Sequence, residues 1–363
     1  NATLLENIKN HPDFKVSFSI SGIALEQFEK FAPEVIDSFK KLVDTGNVEI
    51  LSETYYHSLS SIYSPEEFER QVKMHRKKVR ELFGVTPSVF RNTELIYSNE
   101  IAKMAENMGY RGILAEGADH VLGWRSPAFL YKPTGAEKIK LLLKHYKLSD
   151  DIAFRFSTRG WAEFPLTAPK FADWVNSHNG NGEVINLFMD YETFGEHQWE
   201  DTGIFEFLRH LPGEIFKRND NNFKTPSEVI DSFEVKGELD VPYYVSWADT
   251  ERDLSAWLSN DLQKEALDSI YELGKEIVYL DDPELLEDWR KLQTSDHFYY
   301  MCTKWWNDGD VHKYFSPYES PYEAFIAYMN VLQDMRIRLE EAKKKEERGV
   351  SVRKIRPLRF SEV

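Results

Sequence analysis

Strand-like and helix-like segments alternate along the first two-thirds of this 363-residue chain, and that alternation limits its possible folds more than any other feature. Residues 16–20 alternate apolar and polar side chains with period two, which predicts a strand. Residues 33–43 carry apolar side chains at helical spacing, and residues 47–51 form the next short strand. Strands separated by helices pair in parallel, with the helices outside the sheet. The sequence therefore predicts an α/β fold on a parallel sheet, either open or closed as a barrel.

The same alternation continues to residue 247. Ser64-Pro65-Glu66-Glu67 is a helix start, with a Ser cap, Pro in the first turn and Glu three residues after the cap. The helix that it opens is predicted to end near Phe83, before Gly84. Further strands are predicted at 88–92, 112–115, 138–143, 184–190 and 243–247, and further helices at 98–108, at 168–177 and from Thr225.

The pattern changes at Leu254, because from there to about Lys345 the chain is predicted to be almost entirely helical. Turns are expected near Asp281–Pro283 and at 306–318, and the charge-rich run 340–348 is predicted to be a solvated face. We therefore predict two domains, a (β/α) barrel over residues 1–253 and a helical region over residues 254–363.

Composition and missing motifs exclude several classes of protein. The net charge of −16 argues against sequence-independent nucleic-acid binding, and one cysteine, Cys302, rules out an internal disulfide framework. No apolar run approaches the roughly 18 residues that span a bilayer, and no secretory signal precedes residue 30. Walker A, G-x-G-x-x-G and G-x-S-x-G sequences are absent. We expect a cytoplasmic protein with no nucleic-acid partner, no membrane partner and no cofactor.

Two carboxylates stand where the chemistry of such folds is found, at the carboxyl ends of predicted strands. Glu94 follows strand 88–92 and Asp190 ends strand 184–190, each before an aromatic-containing turn. Aromatic residues make up 14% of the chain, and many adjoin polar residues, as in Tyr55-Tyr56-His57 and Trp305-Trp306-Asn307-Asp308. Such mixed surfaces suit sugars. A pair of acids in an aromatic cleft is the arrangement that glycoside hydrolysis needs.

Other interpretations of these strand-end residues remain open at this point. A zinc hydrolase would need two or three His, but the ten His are scattered and no two lie three to five residues apart. We therefore predict no metal site, although His57, His120 and His197 could converge in space. Glu192 shares a face with Asp190 if the strand continues, so it competes with Asp190 as the second carboxyl of the pair.

Four segments resemble the signature regions of glycoside hydrolase family 57, most closely those of its α-amylase branch. They are Gly46-Asn-Val-Glu-Ile50, Phe90-Arg-Asn-Thr-Glu-Leu95, Phe188-Met-Asp-Tyr-Glu-Thr-Phe-Gly-Glu-His197 and the stretch from Ser246 to Trp257. The resemblance extends from about residue 4 to residue 310, and Met189 to His197 is its most specific part.

The resemblance implies an incomplete (β/α)7 barrel of parallel strands followed by a helical C-terminal bundle. It implies a retaining α-amylase type of hydrolysis of α-1,4-glucans such as starch, glycogen or maltodextrins. Glu94 would be the nucleophile and Asp190 the general acid/base. Together with the strand-end residues, it gives these candidate substrate-binding positions: Glu49, His57, Arg91, Glu192, His197, Trp247, Asp253 and Trp257.

The chain departs from the family pattern in two places. It has no His-Gln-Pro at the end of a first strand, so a strand, a helix and a substrate-contacting His are expected upstream of Asn1. Family members that transfer glucan chains tend to carry Trp near the two acids, where this chain has Arg91 and His197, which favours the amylase-like branch.

The alternatives are a 4-α-glucanotransferase using the same site, a non-catalytic glucan-binding protein, and a metal-dependent carbohydrate deacetylase.

Overall fold

The structure is a computed structural model that describes residues 1–218, 220–304 and 316–347. The chain forms two compact units. The first comprises residues 1–57 and 65–254, and the second comprises residues 58–64 and the described residues from Ser255 onward. The sequence places segment 58–64 in the barrel, whereas here it groups with the second unit, and the predicted boundary after residue 253 stays a prediction.

Parallel strands form the centre of the first unit. Strand β1 (Val16–Phe18) pairs with β2 (Val48–Ile50), and β4 (Gly112–Glu116) lies between β3 (Val89–Arg91) and β6 (Lys140–Lys144). Ser52, just past β2, continues the sheet by bonding to Val89 and Arg91 of β3 at 2.9 and 2.8 Å. A separate parallel pair joins β5 (Lys132–Pro133) to β7 (Glu238–Leu239). The predicted α/β class with parallel strands is confirmed.

Two predicted strands are wrong. Residues 184–190 make a single parallel bridge, between Asn186 and Lys144. The next backbone donor of a continued ladder, the N–H of Phe188, donates instead to the Ser149 hydroxyl at 3.2 Å. Residues 243–247 make a single antiparallel bridge, between Val245 and Tyr97. Beyond this bridge the backbone N–H of Trp247 donates to the carbonyl of Glu94. This bond is out of register with an antiparallel pair, so the strand does not continue.

Helices surround the strands of the first unit. α3 (Pro33–Val43) and α5 (Pro65–Phe83) begin at the prolines that the sequence predicted, and α11 (Pro226–Ser232) begins with a capping box between Thr225 and Glu228. The others are α1 (Ala2–Asn10), α2 (Gly22–Phe31), α6 (Asn99–Asn107), α7 (Asp119–Leu122), α8 (Tyr146–Ala153), α9 (Ala168–Asn176) and α10 (Ile204–Phe216).

Helix α11 covers the amino ends of the first strands. Ser227 at its start donates its backbone N–H at 2.9 Å to Glu49 of β2, and its hydroxyl bonds Ser88, just before β3, at 2.8 Å. Glu228 pairs with Lys15, just before β1. Val229 of α11 belongs to one buried cluster with Leu114 of β4 and Leu142 of β6. The amino end of the sheet is therefore closed, and the carboxyl end is the one left for a site.

The second unit is helical. Its helices are α4 (Ser60–Tyr63), α12 (Asp261–Leu280), α13 (Pro283–Lys291), α14 (Ser295–Tyr299) and α15 (Pro321–Glu347). The predicted turn at 281–283 is confirmed, because Asp281 ends α12 in the left-handed conformation with φ 53°. The Trp305–Asp308 motif, most of the predicted turn 306–318 and residues 348–363 lie outside the described residues. Within the described part of the chain, none of the helices is both long enough and apolar enough to cross a membrane.

Helices α12 and α13 meet where a glycine leaves room for an indole. The Trp289 ring lies over Gly274, and its Nε1–H donates to the Ile270 carbonyl at 2.8 Å. A Cβ at position 274 would stand 2.2 Å from the ring, which is inside van der Waals contact.

We therefore expect Gly274→Ala to lower the melting temperature of the protein. Overpacking costs about 1–3 kcal/mol, which outweighs the roughly 1 kcal/mol that Ala gains over Gly as a helix former. Gly160→Ala is the matched control, since a Cβ there meets nothing within 4 Å. Equal melting temperatures for the two variants in a calorimetric scan would contradict this packing.

Candidate active site

The turn after β3 presents Glu94 in an uncommon backbone conformation. Glu94 has φ 55° and ψ 25°, and Leu95 also has positive φ, within the short 3₁₀ turn Thr93–Leu95. The Asn92 side chain holds this turn by donating to the Ile96 carbonyl at 2.9 Å. His57, which faces Glu94, likewise has φ 51°. Left-handed non-glycine residues cluster at functional sites, because only a surrounding network repays their strain.

His57 lies between two carboxylates. Its Nε2 is 2.9 Å from Glu94 Oε1, and its Nδ1 is 3.1 Å from Glu53 Oε2. The Arg91 guanidinium reaches the same Glu53 oxygen at 3.6 Å. Burial would lower the pKa of His57, but the hydrogen bonds and charges of Glu53 and Glu94 raise that pKa to about 10. His57 is therefore a cation at neutral pH, and both ring nitrogens donate.

Trp247 engages the other oxygen of Glu94. Its indole Nε1–H donates to Glu94 Oε2 at 2.7 Å, and its backbone N–H donates to the Glu94 carbonyl at 3.2 Å. Burial would raise the pKa of Glu94, but His57, the charge of Arg91 and the Trp247 hydrogen bond outweigh it and lower that pKa to about 2. Glu94 is a fixed carboxylate anion with each oxygen accepting one strong hydrogen bond.

Asp190 has the opposite environment. It precedes the 3₁₀ turn Tyr191–Thr193, which starts where the bridged segment around Asn186 ends. Burial raises the pKa of Asp190, and the charges of Glu192 and Glu94 raise it further, to about 7, against the opposing charges of Arg91 and Lys144. The charge of Glu94 thus acts on Asp190, and Asp190 can hold a proton at neutral pH.

The turn after Asp190 brings Glu192 and His197 close in space. The backbone N–H of His197 donates to the Glu192 carbonyl at 3.0 Å, and the Glu192 side chain is exposed. His197 also lines an open cleft of about 640 Å³ with Trp199 and four further residues: Ser157, Glu200, Asp201 and Thr202. Of the two, Glu192 acts on the pKa of Asp190 through its charge, and the substrate contacts of both stay predictions.

Several predicted site residues lie elsewhere. Both oxygens of Glu49 accept hydrogen bonds from Ser227, which anchors α11, and the substrate contact of Glu49 stays a prediction. Trp257 is only 2% exposed and its ring packs against Tyr299, so neither indole face is open to a sugar. Asp253 is exposed and its backbone carbonyl accepts a hydrogen bond from Ser246, so its substrate contact stays a prediction.

The tyrosine pair beside His57 is part of the core. Tyr55 and Tyr56 are 6% and 3% exposed, although the sequence places them in an aromatic motif of the kind that suits sugars. The Tyr55 ring occupies the space over Gly22, where a Cβ would meet it at 2.3 Å.

Two residues around the acids, Glu53 and Lys144, were not predicted from the sequence. Lys144 ends an apolar strand and is 4% exposed, and it contacts Glu116 and Asp150. One signal was available, because a lysine at the end of an apolar strand must find a counter-ion when buried.

Comparisons with known proteins decide the family. The family model for Glycosyl hydrolase family 57 matches residues 1–242. The chain belongs to glycoside hydrolase family 57. The "Putative alpha-amylase" of Methanocaldococcus jannaschii is 47% identical to it over 359 residues, which cover 96% of this chain and 76% of that protein. The alpha-amylase of Pyrococcus horikoshii is 24% identical over 242 residues, which cover 66% of this chain and 37% of that protein.

Solved structures of the family agree on the fold. A family 57 branching enzyme of Pyrococcus horikoshii superposes with a TM-score of 0.72 at 15% identity, over 96% of this chain and 85% of that one. The 4-alpha-glucanotransferase of Thermococcus litoralis gives a TM-score of 0.65 at 20% identity, over 82% of this chain and 51% of that one. The chain therefore has the (β/α)7-barrel type of fold with a helical C-terminal region, as predicted.

The hypothesis of a metal site gains no support from the geometry. His57 is held by two carboxylates, and in the described ranges no three His, Cys, Asp or Glu side chains converge as metal ligands would.

Replacing His57 by Gln tests the ion-pair network around Glu94. We expect the pKa of Glu94 to rise from about 2 toward the ordinary range, measured by carbon NMR of the labelled carboxyl. Removing one partner of a buried ion pair costs about 3–5 kcal/mol. Because the pKa of His57 is raised from 6.5 to about 10, its stabilisation is complete below pH 6.5 and is lost as the pH rises through about 10.

His210→Gln is the matched control for this variant. His210 pairs with Glu206 at 3.7 Å on the surface, with its side chain 67% exposed, and such pairs contribute about 0–1 kcal/mol. A loss of unfolding free energy that is equal in the two variants would refute the buried network.

Proposed function

We propose that this family 57 enzyme is a retaining hydrolase of α-1,4-glucans, with Glu94 as the nucleophile and Asp190 as the general acid and base. The observation that carries the proposal is the separation of two neighbouring carboxyl pKa values, to about 2 for Glu94 and about 7 for Asp190. A retaining glycosidase needs one carboxylate that is always ionised and one carboxyl that keeps its proton near neutral pH. The substrate class follows the names of the relatives, which include alpha-amylases.

In the first step, a Glu94 oxygen attacks the anomeric carbon while Asp190 donates its proton to the glycosidic oxygen. The bond between that oxygen and the anomeric carbon breaks, and a glycosyl ester forms on Glu94 with inversion. The hydrogen bonds from His57 and Trp247 hold the carboxylate in one orientation before attack, so little reorganisation is needed.

In the second step, Asp190 acts as the base. Esterification removes the negative charge of Glu94, which is one of the causes of the raised pKa of Asp190, so that pKa falls once the intermediate has formed. Asp190 then accepts a proton from water, the water oxygen attacks the anomeric carbon, and the bond to Glu94 breaks. The second inversion restores the original configuration.

Arg91, Glu192 and His197 are proposed as substrate-contacting residues around the acids. Arg91 is partly buried and its charge acts on both carboxyls. Glu192 and His197 follow Asp190 in the same turn, and the cleft beside His197 contains the half-exposed indole of Trp199. An aromatic face flanked by carboxylates can stack on a sugar ring and accept hydrogen bonds from its hydroxyls.

A second candidate function is glucan transfer. The glycosyl ester on Glu94 can be intercepted by a sugar hydroxyl instead of water, with Asp190 accepting the hydroxyl proton. The relatives include the 4-alpha-glucanotransferase of Thermococcus litoralis, which is 23% identical over 246 residues. The lengths of the products formed from maltoheptaose distinguish the two, because transfer gives chains longer than the substrate.

Chemical rescue tests the two catalytic roles. Glu94→Ala should abolish release of reducing sugar, and added azide, which attacks in its place, should give a glycosyl azide of inverted configuration. Asp190→Asn should lower turnover of maltoheptaose by roughly 10²–10⁴-fold, and azide should give the retained configuration, because it attacks the ester on Glu94.

Glu192→Gln is the control for the acid/base assignment, since it removes the neighbouring carboxylate. Its activity should persist without azide. If Glu192→Gln, and not Asp190→Asn, gives the azide product of retained configuration, then Glu192 is the acid and base.

The pH dependence of kcat/KM tests the separation of pKa values. The general acid must be protonated, so kcat/KM should fall as the pH rises through about 7. Glu192→Gln removes a negative neighbour of Asp190 and should move this descending limb to lower pH. A wild-type profile that stays flat through pH 7, or a limb that Glu192→Gln leaves in place, would contradict the assignment.

A further inference from the structure

Lys144 lies in a closed ring of charges that the proposed mechanism does not use. Its ammonium is 3.5 Å from Glu116 and 3.3 Å from Asp150. Arg252 contacts the same two carboxylates, at 3.2 and 3.4 Å. The Lys144 side chain is 6% exposed and the Glu116 side chain is fully buried. Two cations and two acids thus balance one another in a desolvated place.

The charge ring holds Trp247 at two points. The Lys144 ammonium lies 5.3 Å from the centroid of the indole, within the range of a cation–π contact. Arg252 donates from Nη1 to the Trp247 carbonyl at 2.8 Å. A third cation, the Arg91 guanidinium, lies 4.8 Å from the same ring centroid.

The orientation of this indole matters because its N–H donates to Glu94 Oε2 at 2.7 Å. A hydrogen bond weakens steeply as its angle departs from linear. A rotation of the indole would therefore release one oxygen of Glu94 without breaking the backbone link between the two residues. The cations beside the ring also attract its π-electrons, which favours donation by the N–H.

Neutralising the two acids does not by itself require a lysine in this place. Buried ion pairs are often no more stable than an apolar replacement of similar size. The cation provides two things that an apolar side chain cannot: a charge that lowers the pKa of Asp190 and a contact with the indole. Only the second acts through Trp247. We propose that Lys144 is a positioning residue for the reaction: fixed by Glu116 and Asp150, it holds the Trp247 indole so that Nε1–H donates to Glu94. This inference rests on the proposed function.

A double-mutant cycle on Lys144 and Trp247 tests the coupling, with maltoheptaose as the substrate. Lys144→Met should lower kcat by roughly 10–100-fold, the order that a misplaced catalytic group costs, with a much smaller change in KM. Because Lys144 acts through the indole, the double variant with Trp247→Phe should have the kcat of Trp247→Phe alone. Lys132→Met, which breaks a half-exposed pair with Glu238, should leave kcat unchanged.

Two further variants separate positioning from charge balance. Lys144→Met combined with Glu116→Gln removes one cation and one acid, so it should recover the melting temperature lost in Lys144→Met but not the kcat. If Lys144→Met alone does not fold, kcat is measured in the double variant with Glu116→Gln instead, and it should remain below that of the wild type. Lys144→Arg keeps the cation and should recover much of the activity.

The indole N–H resonance of Trp247 gives a readout that does not need turnover. It can be assigned by its disappearance in Trp247→Phe, and it should move upfield in both variants that contain Lys144→Met while staying in place in Lys132→Met. Additive losses of kcat, recovery of kcat in the charge-balanced pair, or an unmoved resonance would overturn the proposal. Should the wild type not cleave glucans, a shifted resonance would still support the positioning role while the substrate assignment fails.

Discussion

The site depends on one buried anion, the carboxylate of Glu94, and on the two hydrogen bonds that keep it charged. A carboxylate out of water is costly unless it is paired and hydrogen-bonded. Here a protonated imidazole and an indole each take one oxygen, at 2.9 and 2.7 Å. The left-handed backbone of Glu94 and His57 is what lets the two side chains face each other across neighbouring strands. Strain in the turn is therefore balanced by the ion pair that it creates.

The same carboxyl chemistry has two outcomes because the surroundings differ. Cations and hydrogen-bond donors lower the pKa of Glu94, whereas burial and two further carboxylates raise the pKa of Asp190. The charge of Glu94 is one cause of the raised pKa of Asp190, so under the proposed mechanism the loss of that charge in the covalent intermediate lowers the pKa of Asp190. In the proposed mechanism Asp190 can in this way first donate and then accept a proton, while Glu94 acts as the nucleophile.

Local patterns predicted the parallel strands and helix starts, because alternation and capping depend on neighbours in sequence. They also placed Glu94 at a strand end. They did not predict the partners of Glu94, because Trp247 is 153 positions away and its contact depends on tertiary packing. The contact of Glu49 with α11 was not predicted for a related reason, because Ser227 lies 178 positions away.

Other differences come from side chains that replace backbone partners. The Ser149 hydroxyl accepts the backbone N–H of Phe188 and so ends a strand after one bridge, which apolar periodicity cannot predict. Lys144 sits in an apolar run, and only the convergence of Glu116, Asp150 and Arg252 explains it. A proposed functional residue such as Lys144 thus departs from the apolar pattern of its own strand, and its charge is balanced by residues distant in sequence.

The helix that covers the amino end of the sheet sets an order on folding. Ser88, Glu49 and Lys15 bond to partners that lie 139, 178 and 213 positions later in the chain. The first three strands are therefore synthesised long before the segment that shields their amino ends exists. Contacts of such long range make folding slow, since a large loop must close before they contribute. Covering of the amino end of the sheet by α11 is a late event, and the strands made first stay uncovered for longest.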